Sequence, residues 1–247
     1  MGAPRATFCE FKEKDEFRVM KKEQVDKNSE RFQQFSWDFS DGRMIPWTSV
    51  WLQAREIIRR PDIHRVLEFG SARNILKLLV ENYGIHHTAV EVNGEIFSPD
   101  VVATIDGFES EETYDVVCAF EVLEHNPFEE IEGLVRKMAS FSTKYVYLSI
   151  PCSGRFFSIS LNANLPRIQF RKTFHWTWSR LRRLVRPVEE FRKRPDKYNP
   201  HWWEVGDKDR TEKDVEKLFE NCDLKLIEKI HNPLFPYHLF FLLEKNG

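Results

Sequence analysis

Residues 114–127 read Tyr-Asp-Val-Val-Cys-Ala-Phe-Glu-Val-Leu-Glu-His-Asn-Pro, and this stretch constrains the fold more than any other. The apolar run Val116 to Phe120 has the length and composition of a strand buried on both faces. It leads directly into a turn carrying two carboxylates and an imidazole, Glu121, Glu124 and His125. Pro127 suits the opening of a helix, where its missing N–H costs nothing. Reactive groups just past the carboxyl end of a buried strand stand where open α/β sheets bind their ligands.

The rest of the chain supplies the partners such a strand needs. Trp47, Val50, Trp51, Ala54, Ile57 and Ile58 recur at helical spacing and predict an amphipathic helix ending near Pro61. Strands are expected over residues 65–69, 88–92, 101–105, 115–120 and 145–150, with helices over 75–82 and 127–141. Strand alternating with helix implies right-handed crossovers and a Rossmann-like, doubly wound α/β sheet. Thr211 with Asp214 three residues on is a shortened capping box, so a helix starts there and points Val215, Leu218 and Phe219 inward. Residues 224–230 and 237–244 then read as a closing hairpin joined through Asn232-Pro233.

Two segments stand outside that alternation. Residues 1–45 are charged and then aromatic, with Phe32, Phe35, Trp37 and Phe39 close together, and read as an arm whose aromatic end packs on the main domain or covers its site. Between Arg155 and Lys197 twelve Lys or Arg face three acidic residues, and aromatics are interleaved. This basic segment is assigned to a cap insert over 152–200, with helical content around Trp178 to Val188. It suits a small anionic acceptor, with peripheral contact to acidic lipid as the next reading and a solvated surface as the plain one.

Composition narrows the classes. A net charge of −2 over 247 residues gives the whole chain no nucleic-acid signature. Four widely spaced cysteines form no C-x-x-C pair, which argues against a zinc or redox motif and suits a reducing cytoplasm. Residues 1–22 lack the apolar core of a secretory leader, and no run reaches the roughly 18 apolar residues of a membrane span. The expectation is a single cytoplasmic domain, 1–247, with arm and helix at 1–60, a core at 62–151, the cap at 152–200 and the closing helix and hairpin at 201–247. Its oligomeric state is not legible.

The Glu121 to Pro127 wording resembles the post-strand motif of class I S-adenosylmethionine-dependent methyltransferases, E-V-L-E-H-x-P. Val66 to Asn74 resembles the family's strand and E/D-x-G-x-G-x-G loop, with Gly70 at the first glycine and Ala72 and Asn74 replacing the second and third. The resemblance covers 62–151 strongly and 201–247 more loosely. It implies a seven-stranded sheet, mostly parallel with an antiparallel end, and S-adenosylmethionine as cofactor. By that resemblance Glu68, Gly70, Ser71, Ala72 and Asn74 form the methionine loop. Glu91, 23 residues after Glu68, would accept from the ribose hydroxyls. Asp106, Gly107 and Phe108 would hold the adenine, and Phe120 and Glu121 would close the pocket.

His125 is the candidate general base for a hydroxyl or amine acceptor, with Glu124 beside it, since an imidazole near its ordinary pKa accepts protons at neutral pH. Capping of the next helix is the competing role for His125. In ubiquinone-pathway relatives the two glutamates and the histidine are associated with a divalent metal, a variant not favoured here. His201-Trp202-Trp203-Glu204 resembles strings in glycan and small-metabolite methyltransferases and reads equally as an acceptor wall or a packing corner. The runner-up function is a methyltransferase-like binding or regulatory subunit that has lost transfer, because two glycines of the loop are absent.

Overall fold

The computed structural model describes residues 47–94, 97–152, 156–165, 168–177, 201–207 and 210–246. The expected N-terminal arm and the expected helix around 178–188 lie outside them. The elements in chain order are α1 (Trp47–Ile58), β1 (Arg65–Phe69), α2 (Ile75–Glu81), β2 (His86–Glu91), β3 (Val101–Val102), β4 (Tyr114–Phe120), α3 (Ile131–Phe141), β5 (Ser142–Pro151), β6 (Phe156–Leu165), β7 (Ile168–Thr177), α4 (Glu212–Asn221), β8 (Leu224–His231) and β9 (His238–Lys245).

Seven strands form one sheet in the order β3-β2-β1-β4-β5-β9-β8. The pairs from β3 to β5 are parallel, and β9 runs antiparallel between β5 and β8. The order reverses between β1 and β4, which places the crevice of a doubly wound sheet at their carboxyl ends. In β4, Val116 to Ala119 are fully buried, as a central strand covered on both faces must be. Alternate residues feed two cores. Val117 and Ala119 pack toward α3 and α4, whereas Val116, Cys118 and Phe120 pack toward α1 and α2.

The expected elements are shifted in places. The third strand shrinks from 101–105 to the two-residue β3, because the chain turns away at Ala103 toward buried Ile105. The helix expected from Pro127 begins as a 3-10 turn over Phe128–Glu130 before α3. The capping box at Thr211 is present, with Asp214 N–H donating to Thr211 Oγ1 and Thr211 N–H to Asp214 Oδ2.

The cap segment differs most. Phe156 to Thr177 forms an antiparallel two-stranded ribbon separate from the main sheet, with Ile159 opposite Phe174 and Ala163 opposite Phe170. Period-two alternation of apolar and polar residues along 157–163 was the strand signal, and reading the segment by charge alone obscured it. Among the described residues no helix is long and apolar enough to cross a membrane.

One buried side chain ties the closing hairpin to the helical layer. Asn232, fully buried, donates to Ser49 Oγ at 2.8 Å and accepts from Leu234 and Phe235 N–H at 3.1 Å. Truncation orphans those partners, and each buried unpaired polar group costs about 1–3 kcal/mol. Asn232→Ala is therefore expected to lower unfolding free energy by at least about 1–3 kcal/mol in a urea titration, without change in the cooperativity slope.

Candidate active site

The loop after β1 is held by the end of β2. Gly70 and Ser71 N–H both donate to Val90 C=O, at 2.8 and 3.3 Å. Gly70 has φ +76°, and a Cβ built there would stand 2.3 Å from Val122 Cγ2. Glycine is thus required where the loop meets the turn after β4. Ala72 and Asn74, which replace the family's later glycines, take left-handed φ of 44° and 56°. The backbone path survives the substitutions, helped by Asn74 Nδ2 donating to Ser98 C=O at 2.8 Å.

Two buried polar atoms flank Gly70. Glu68 Oε2 and Ser71 Oγ have no hydrogen-bond partner. His87 Nε2 lies 3.1 Å from Glu68 Oε2 but out of hydrogen-bond alignment. Buried polar atoms are rarely left unpaired, so this pair fits a cradle for the polar end of a ligand. Glu91 closes the cradle. Its Oε2 accepts from Ala72 N–H at 3.1 Å, and its Oε1 from Val92 and Asn93 N–H at 2.8 and 3.3 Å. The carboxylate therefore fixes the loop, and Oε2, with a single donor, retains acceptor capacity toward a hydroxyl.

The two aromatic expectations need correction. Phe108 is 3% exposed and meets Phe69 and Phe141 edge-on, at 5.4 and 5.1 Å. Phe120 lies against Tyr147 at 5.1 Å and Phe240 at 6.2 Å. Both rings fill the cores on opposite faces of the sheet instead of covering the crevice, because that is where their apolar area is removed from water. Asp106 and Gly107, between them and β3, are exposed, with Gly107 N–H donating to Thr104 Oγ1 at 3.0 Å.

The reactive end is assembled from four pieces of chain. Glu121 directly follows β4 with φ 56°, an uncommon conformation for a non-glycine residue and one found at functional turns. Its Oε1 accepts from Ser149 Oγ of β5 at 2.8 Å, and its Oε2 lies 3.5 Å from His238 Nε2 of β9. Glu124 sits in a 3-10 turn, Leu123–His125, with its Oε1 3.8 Å from His125 Nε2. The segment at 201–205 runs beside the end of β5, with Val205 N–H donating to Pro151 C=O and Trp202 N–H to Glu124 C=O. This brings the His201 ring edge-on to His125 at 5.1 Å. Glu204 Oε1 accepts from Tyr237 Oη at 3.1 Å and lies 3.3 Å from His201 Nδ1.

His201 and Glu204 therefore join Glu121, Glu124 and His125 in one cluster. The open alternative at 201–204 splits by residue: Trp203 is buried against Phe128 at 4.9 Å, whereas Trp202 is 54% exposed. Sequence reasoning missed Ser149, Tyr237 and His238. For Tyr237 and His238 the available signal is a polar-tipped Tyr-His pair entering an otherwise apolar last strand; Ser149 carries none.

Burial shapes the electrostatics. It pushes the Glu121 carboxyl up to about 8, with Glu204 adding repulsion against the Ser149 hydrogen bond. Burial and then Glu121 hold Glu124 well above the usual carboxylate range. Burial likewise lowers His238 to about 4 and raises the Tyr237 phenol. Between pH 4.5 and 8 native Glu121 keeps a proton that the unfolded chain has lost, so its contribution to stability falls as pH rises. His238 acts oppositely between about 4 and 6.5, where the unfolded chain alone is protonated. From pH 6.5 to 8 only the Glu121 effect of this pair remains. Thermal melts over that window should show wild-type stability declining, with Glu121→Gln giving a flatter profile.

Comparisons with known proteins agree with this geometry at the level of fold. No family model matches the chain, and no curated protein matches it significantly. Solved structures do. Magnesium protoporphyrin IX methyltransferase (ChlM) from Synechocystis PCC 6803, with bound S-adenosylmethionine, superposes with a TM-score of 0.56 at 11% identity, over 95% of this chain and 99% of that one. The 1,6-didemethyltoxoflavin-N1-methyltransferase of Burkholderia thailandensis, with S-adenosylhomocysteine, gives 0.56 at 14% identity, over 100% and 94%. An S-adenosylmethionine-dependent methyltransferase from Clostridium acetobutylicum ATCC 824 gives 0.52 at 9% identity, over 94% and 99%. The chain has the seven-stranded fold shared by these methyltransferases.

Proposed function

We propose that this protein is an S-adenosylmethionine-dependent methyltransferase acting on an oxygen or nitrogen of a small molecule. The observation that carries the reading is the cradle at the end of β1. Orphaned Glu68 Oε2 and Ser71 Oγ flank a glycine that admits no Cβ, and Glu91 stands at the end of the next strand. A methionine ammonium and carboxylate would satisfy the two orphaned atoms, and a ribose hydroxyl would use the remaining lone pair of Glu91 Oε2. When bound, the cofactor supplies an electrophilic methyl group on a sulfonium.

The protein's own part is alignment and proton removal. Holding nucleophile and methyl group in line accounts for roughly 7–11 kcal/mol of such a barrier. His125, partly exposed and backed by Glu124, is the proposed base. The same proposal treats residues 1–247 as one cytoplasmic methyltransferase domain whose basic 152–200 segment receives an anionic portion of the acceptor or meets acidic lipid. It rests there on sequence charge. The structures compared bind or act on protoporphyrin and toxoflavin derivatives, which supports a small-molecule acceptor.

Calorimetric titration with S-adenosylmethionine and S-adenosylhomocysteine tests the cradle. Charge-assisted hydrogen bonds are worth about 1.5–3 kcal/mol, so Glu91→Gln should weaken both ligands by roughly 10- to 150-fold. A well-folded wild type that binds neither ligand would favour the binding-subunit reading instead. Once an acceptor is in hand, His125→Ala should lower kcat by about 100- to 10,000-fold, the usual contribution of general-base catalysis, with cofactor affinity unchanged.

A further inference from the structure

Glu124 is an anomaly that the cofactor cradle does not explain. Its side chain is fully buried, and neither carboxylate oxygen receives a hydrogen bond of good geometry. Among the described residues no Lys or Arg pairs with Glu124 or with Glu121; their ion pairs are to His125 and His238. An isolated buried carboxylate costs several kcal/mol unless a cation or a proton joins it. In the unliganded protein burial favours a proton on this carboxyl, and a small cation bound there would take the place of that proton, which leaves to solvent.

The neighbours define what that is. One donor atom each from Glu124, His125 and His201 lies within 4.8 Å of the others. A single nitrogen placed at hydrogen-bond distance, roughly 2.9 Å, from three acceptors spans a group of this size. The backbone N–H of Trp202, next in sequence to His201, donates to the Glu124 carbonyl at 2.8 Å, which holds the 201–204 segment against the turn that carries Glu124 and His125. We propose that Glu124, His125 and His201 form an ammonium pocket, and that the acceptor atom is therefore the nitrogen of an amine.

The inference rests on the methyltransferase reading and resolves its open choice between oxygen and nitrogen. Glu124 orients the ammonium, and one of its protons passes to the neutral His125 imidazole. The freed nitrogen lone pair then forms the N–C bond as the sulfonium C–S bond breaks, its electron pair returning to sulfur. The methylated ammonium releases its second proton to solvent. A hydroxyl acceptor brings no charge to displace the proton that burial favours on Glu124, so the pocket discriminates by charge and not by shape alone.

The test uses the full-length protein with benzylammonium chloride against benzyl alcohol, followed through histidine side-chain NMR resonances, with and without S-adenosylhomocysteine. Benzylammonium is expected to shift the His125 and His201 signals saturably, with benzyl alcohol at least tenfold weaker. Glu124→Gln, and independently His201→Gln, should weaken benzylammonium at least tenfold while leaving S-adenosylhomocysteine affinity within about twofold. Equal responses to the alcohol and the ammonium, or none to either, would overturn the proposal. So would micromolar binding of Mg²⁺ or Mn²⁺ that Glu124→Gln abolishes, which would make this a metal site. S-adenosylhomocysteine binding is read separately, so loss of the cofactor reading and loss of the ammonium pocket remain distinct results.

Discussion

The contact between Gly70 and Val122 is the constraint on which the site depends. A side chain at residue 70 would collide with Val122 at 2.3 Å, so the loop after β1 and the turn after β4 can touch only through glycine. These loops follow the two strands between which the strand order reverses. Close approach there puts the cofactor cradle on one side of the crevice and the acid–imidazole cluster on the other. The left-handed backbone at Ala72, Asn74 and Glu121 follows from the same crowding. The loop after β1 and the turn after β4 are both short, and left-handed residues let such turns stay tight at moderate cost.

The second organising feature is negative charge removed from water. Glu68, Glu91, Glu124 and Glu204 are all buried, yet they are stabilised differently. Glu91 is satisfied by three backbone N–H groups, which makes it a structural clasp as well as a ligand acceptor. Glu204 is engaged by Tyr237 and His201. Glu68 and Glu124 retain unsatisfied oxygens, one in each half of the crevice. A fold with no use for these groups would replace them with apolar residues of similar volume at no loss of stability.

Much of this was legible in the chain. The β1–α2–β2 and β4–α3–β5 units could be read from apolar runs and periodicity, because parallel strands buried on both faces leave an uninterrupted signature. The string from Glu121 to His125 marked the reactive turn, and Thr211 with Asp214 marked the last helix. Other features were not. Phe108 and Phe120 sit at positions suited to a ligand cover, but the face of the sheet to which each ring turns is set by packing partners distant in sequence, Phe141 and Phe240 among them. The 156–177 ribbon was hidden because its basic residues dominated its reading.

Residue order alone was enough to set which strands are central, where a glycine is needed, and which turn carries carboxylates and imidazole. These are local properties, set by side-chain volume, backbone freedom and spacing over a few residues. Only the tertiary structure decided that His201, Glu204, Tyr237 and His238 would join Glu121, Glu124 and His125. That meeting depends on β9 inserting antiparallel between β5 and β8 and on the 201–205 segment running along the end of β5. Distance along the chain explains this: groups from 76 residues (His125 to His201) to 117 residues (Glu121 to His238) apart are brought together by sheet pairing, which no local pattern encodes.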